Sequence, residues 1–126
     1  MVWPEQTDRF SRLEAAIAVA RRDPPNVIAG DLLEATEALA AQAPTNARLV
    51  IFHTAVLNYV APEVRKKFAT LVNDIGAEWL ANEGASILPE VASMNVLEDR
   101  PGAFVLSHNG RAIARTGPHG QFVDWL

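Results

Sequence analysis

The chain holds three histidines and no cysteine, so acid-base or metal chemistry must come from imidazoles and carboxylates, not from thiols. His53 ends the apolar start of "LVIFHTAVLNYV", residues 49–60. A histidine in that place reads in two ways: as a general base or substrate hydrogen-bond partner, or as an imidazole satisfied by a neighbouring carbonyl at a strand end. Glu83, in "AEWLANEG", is a candidate acid or base and equally a half-exposed strand-end carboxylate. His119 lies in "GPHGQF", where flanking glycines let backbone approach a ligand closely. His53, Glu83 and His119 are therefore the candidate catalytic residues, with Thr54, Asn58 and Tyr59 beside His53. His108, in "SHNG", reads as a solvent-exposed turn residue.

Imidazole and carboxylate suit zinc or non-haem iron, but no pair shows a ligand spacing such as H-x-x-x-H, and no metal is expected. Nor is there a G-x-S-x-G turn to carry a serine nucleophile. Trp79 and Trp125 read as packing residues.

The elements that must position these side chains follow from apolar spacing. "TDRFSRLEAAIAVARR" predicts a helix, with Phe10, Leu13, Ile17 and Ala20 recurring every three or four residues. Val27 to Ala29 predicts a short buried strand that turns at Gly30 and Asp31 into the helix "LLEATEALAAQA". Asp31 and Glu34 form a D-x-x-E pattern, a capping box for that helix. Leu49 to Phe52 is an unbroken apolar run and predicts a strand buried on both faces, as in a parallel sheet. Pro62 opens a third helix with Val64, Phe68, Leu71, Val72 and Ile75 as its buried stripe, and Gly76 closes it. "AEWLANEG" predicts a third strand, and "ASILPEVASMNVLEDRPG" predicts a loop with a turn of helix. Around Asn109-Gly110 two alternating segments predict an antiparallel hairpin.

The fold class that results is α/β: a partial Rossmann-like sheet of parallel strands with flanking helices and a carboxyl-terminal hairpin, in one domain. In open sheets of this kind ligands gather at the carboxyl ends of the parallel strands. That rule places Asp31, His53, Thr54, Asn58, Tyr59 and Glu83 on one rim. The chain has 126 residues, 49% of them apolar, enough for one sizeable core. Eleven basic against 15 acidic residues give a net charge of −4, and without a basic run nucleic acid is not an expected partner. No apolar run approaches the ~18 residues of a membrane span, which predicts a cytoplasmic protein.

The segments "WPEQTDRFSRLEAAIAVA", "VIAGDLLE", "LVIFHTAVLNYV", "AEWLANEG" and "GPHGQFVDWL" together resemble the carboxyl-terminal half of the bacterial family called domain of unknown function 2332. Members of that family are similar in element order to class I S-adenosylmethionine-dependent methyltransferases. The resemblance implies that Asp31 meets the adenine amino group of S-adenosylmethionine and that "FHTAVLNY" faces the transferred methyl, with Thr54, Asn58 and Tyr59 as cofactor neighbours. The Gly-rich strand-to-helix turn of such enzymes is absent from this sequence, and with it the acidic residue that holds the ribose. The resemblance therefore implies a truncated or split relative, not catalytic alone. Its sheet would be completed by a homodimer or by a complementing amino-terminal half, because the open edge of a buried-type strand invites pairing. A nucleotide-binding enzyme after such assembly, and a small metal-dependent hydrolase, are the alternatives.

Overall fold

A computed structural model of the chain describes residues 2–88, 91 and 102–126. Most of the segment expected to form a loop, 85–102, falls outside the described residues.

Helix α1, Thr7–Arg22, covers the predicted residues and closes with Arg21 and Arg22 against its carbonyl end, where cations are favoured. None of its residues is buried. Helix α2, Leu32–Ala40, starts at Asp31, whose Oδ1 accepts from the amides of Leu33 at 2.8 Å and Glu34 at 3.3 Å. Those bonds satisfy two of the four amides that a helix start leaves unpaired.

Five strands form one sheet in the order β1-β2-β3-β4-β5. They are β1 Val50–Thr54, β2 Glu78–Gly84, β3 Phe104–His108, β4 Arg111–Thr116 and β5 Val123–Trp125. Only β1 and β2 run parallel, joined through a 3-10 turn at Leu57–Tyr59 and helix α3, Pro62–Ile75. Every later pair is antiparallel. Pro62 stands in the first turn of α3 and Gly76 ends it at φ 72°, both as the sequence predicts. At the hairpin, Asn109 and Gly110 take φ 48° and 77°, the positive pair that a two-residue turn of right-handed twist demands.

Two expectations are overturned. Val27 to Ala29 form no strand: Pro24 and Pro25 precede them without amide donors, and Val27 is 84% exposed. The sheet accordingly has one parallel pair, and its Rossmann-like character is confined to that pair. In addition, β1 is an edge strand packed on one face only, since its residues alternate between exposed and half-buried. A run of four apolar residues marks burial on both faces only when both faces have a covering layer.

The register assigns the two faces. Ile51 pairs with Trp79 and His53 with Ala81, so these residues share one face with Glu83, Val105 and Ser107. Against it pack Phe68 and Val72 of α3, with Leu32 and Leu33 of α2 at the margin. The opposite face carries Val50, Phe52, Leu80, Leu106, Val123 and Trp125. Ala114 and Thr116 are buried in its middle, set between larger cross-strand neighbours. Among the described residues no helical side chain is buried against this second face, and Phe52 and Trp125 stand 76% and 70% exposed.

Candidate functional site

Parallel pairing sets His53 opposite Ala81. Its neighbours on the same face of β2 are then Trp79 on one side and Glu83 on the other, two residues away in each direction. The imidazole reaches both. Its Nδ1 lies 2.8 Å from Glu83 Oε1, and the indole N–H of Trp79 donates to its Nε2 at 3.0 Å. An indole nitrogen only donates, so Nε2 must accept and the ring proton sits on Nδ1, which donates to Glu83. This assigns the neutral tautomer and makes the His53–Glu83 contact a charge-assisted hydrogen bond.

Glu83 is 2% exposed. Its Oε1 also accepts from the amides of Val56 at 2.9 Å and Leu57 at 3.1 Å. Those amides converge because Ala55 takes φ 53° and Val56 takes φ −99°, ψ −45°, the left-handed then right-handed sequence that turns successive N–H groups toward one anion. The carboxylate thus ties β2 to the start of the 3-10 turn. Phe68 of α3 closes the cluster, its ring edge-on to His53 at 5.7 Å and edge-on to Trp79 at 6.2 Å. Oε2 of Glu83 is buried without a hydrogen-bond partner among the described residues.

These distances decide what the cluster can do. A general base needs a free lone pair, and the Trp79 indole occupies the one on Nε2. The side chains of His53 and Glu83 are 8% and 2% exposed, so a substrate cannot reach them without opening the sheet from α3. The cluster is a clamp joining strand, turn and helix. The cavity of about 580 Å³ between α3 and the hairpin touches Trp79, Arg65, Lys66 and Asn109 and is not lined by His53 or Glu83.

The other candidate residues are dispersed. Thr54 points to the open face, where its hydroxyl accepts from Asn82 Nδ2 at 3.2 Å. Asn58 and Tyr59 project from the 3-10 turn, Tyr59 87% exposed. Asp31 caps α2 from an exposed position. His119 is exposed in the turn before β5, its amide donating to Gln121 Oε1 at 3.0 Å. The structure brings together His53 and Glu83 alone of the three catalytic candidates, and it buries Glu83, which the sequence reading leaves half exposed.

Three participants escaped that reading: the Trp79 indole and the amides of Val56 and Leu57. The period-two spacing of Trp79, Ala81 and Glu83 could have placed all three on one face, but only the β1–β2 register says that His53 stands between them. A second cluster was missed as well. His108 Nε2 lies 2.7 Å from Glu78 Oε2, Asn109 Nδ2 donates to the same oxygen at 3.0 Å, and Arg48 stands 3.5 Å from Oε1. The hydrogen bond from His108, then that from Asn109, holds the Glu78 carboxyl below its ordinary value of 4.5. No group of three or more potential metal ligands occurs among the described residues.

One parallel crossover followed by an antiparallel meander, with helices packed on a single face and a buried carboxylate clamp inside, defines a mixed α/β unit. Residues 1–125 match the model of a family described as uncharacterised proteins conserved in bacteria, domain of unknown function 2332. The chain belongs to that family. No curated protein and no solved structure matches it. No helix among the described residues is long and apolar enough to cross a membrane.

Proposed function

We propose that the protein acts by association, as a non-catalytic α/β unit whose open sheet face and β1 edge receive another polypeptide. The observation that carries this reading is the exposure of Phe52 and Trp125 on a face that no helix of the described residues covers. Two large aromatic side chains left in water on one face mark an interaction surface in a chain that otherwise buries a core. The engagement of both ring nitrogens of His53, Nδ1 as donor and Nε2 as acceptor, fits a scaffold role for the candidate base. The resemblance to methyltransferases contributes architecture to this reading, a sheet that wants covering on both faces. The Asp31 carboxylate, read by that resemblance as a cofactor contact, gives its Oδ1 to the amides at the start of α2.

Light scattering and sedimentation equilibrium test the proposal. The expected result is an assembly larger than one chain, reduced to a monomer by Phe52→Lys together with Trp125→Glu. A wild-type monomer at ~100 µM, well above the ~1 µM dissociation constants of ordinary specific complexes, overturns self-association as the route. Calorimetric titration with S-adenosylhomocysteine is expected to give no heat. Binding that weakens on Asp31→Ala would put a nucleotide enzyme in place of this reading.

A further inference from the structure

Among the described residues, the open sheet face is not the only apolar surface without a partner. Helix α1 buries none of its residues, and Phe10, Leu13 and Ile17 are all exposed along one stripe. Its hydrogen bonds are local: Gln6 accepts from Arg9, and the Gln6 amide donates to Trp3. Among the described residues, no hydrogen bond or ion pair joins α1 to the sheet. Most helical stability in proteins comes from packing an apolar face on a surface, and the α1 stripe lies exposed.

The segment between α1 and α2, residues 23–31, explains why α1 stands apart. It contains Pro24-Pro25 and no regular structure. Consecutive prolines favour an extended, semi-rigid path of about 3.1 Å per residue, so this connector spans up to ~28 Å and resists folding straight back. A stiff hinge that holds an apolar element away from its own core is the geometry that favours exchange between copies.

Charge and length agree with one occupant. Four arginines against two carboxylates give α1 a charge of +2, so the rest of the chain, which totals −4 with it, carries −6. At 1.5 Å per residue α1 is about 24 Å long, and five strands spaced ~4.8 Å apart set β1 and β5 about 19 Å from each other. The helix therefore reaches from Phe52 on β1 to Trp125 on β5.

We propose that the protein is a two-fold dimer in which α1 of each copy lays its Phe10, Leu13 and Ile17 stripe on the open sheet face of the other, over Phe52 and Trp125. This rests on the association reading above and names the partner as a second copy. The exchange is isologous, so it closes at two chains and leaves neither helix stripe nor sheet face unpaired.

The absence of cysteine permits a direct test. Ala16→Cys is placed in a tagged chain and Thr54→Cys in an untagged one, both positions beside the contact and outside its apolar residues, and the two are co-expressed and oxidised. A disulfide product of mixed length, about ten-fold or more over either homodisulfide, is the expected result, in keeping with a specific site against random collision. Both substitutions in one chain report the alternative: a disulfide within the single chain would show α1 on its own sheet and overturn the exchange. A dimer by light scattering without any mixed product also overturns the exchange while leaving association intact, whereas a monomer at every concentration removes both. Independently, Leu13→Asp with Ile17→Asp is expected to weaken the dimer by about 100-fold with unchanged far-ultraviolet dichroism from the sheet. A dimer untouched by that pair overturns the proposal.

Discussion

The two faces of this one sheet solve opposite problems with different residue types, tryptophan being common to both. On the packed face a histidine, a glutamate and a tryptophan are sealed under Phe68 and Val72, every polar atom but Glu83 Oε2 accounted for within the trio. On the open face valine, phenylalanine and tryptophan stand in water. Polar groups go inside when their partners are built in, and apolar groups stay outside when their partner lies elsewhere. The polar trio is buried and internally bonded, while the aromatic side chains of the other face lie exposed.

Removing Glu83 is the largest blow this contrast predicts. Glu83→Ala frees two amides, a histidine and a buried volume at once, and a loss of about 3–5 kcal/mol is expected from chemical denaturation. If it costs less than 1 kcal/mol, the clamp is not structural. His53→Ala comes next, at about 2–3 kcal/mol, because it strands the Trp79 N–H and the Glu83 acceptor and opens a cavity beside Phe68. Phe52→Thr on the open face should change the stability of the dissociated chain by no more than about 0.5 kcal/mol, while weakening assembly; a loss matching that of His53→Ala would erase the distinction between the faces. Asp31→Ala, at the α2 cap, is expected to cost about 1 kcal/mol in the same assay.

The smallest effect concerns pH. The Glu78 carboxyl is held below 4.5 by His108 and Asn109, so it binds its proton more weakly folded than unfolded. Its contribution to stability is present above pH 4.5 and is lost as pH falls through the lowered folded-state value. Carbon-detected titration of Glu78 should show a midpoint below 4.5, and His108→Ala should bring that midpoint upward.

Local signals were legible in the sequence and non-local ones were not. The bounds of α1, the Pro62 and Gly76 ends of α3, the Asp31 cap and the Asn109-Gly110 turn all depend on residues within a few positions of one another. Val27 to Ala29 failed because three apolar residues carry no record of whether a ladder partner exists. β5 went unread for a related reason: Val123 to Trp125 is short, and its pairing with β4 spans the turn that holds His119. At the site, residue type marks His53 and Glu83 as candidates, but what each of them bonds to depends on register. One more indole within 3.0 Å turns a candidate base into a satisfied acceptor, and no pattern along the chain displays that distance.

The tryptophans give each region its own optical reporter. Trp79 is 6% exposed and bonded to His53, whereas Trp125 is 70% exposed on the open face and Trp3 60% exposed before α1. A water-borne quencher reaches the last two and not the first. Emission from Trp79 will therefore follow the integrity of the clamp, and protection of Trp125 and Trp3 from the quencher would report the proposed assembly. The folded chain carries separate gauges of cohesion and of company, with no label added.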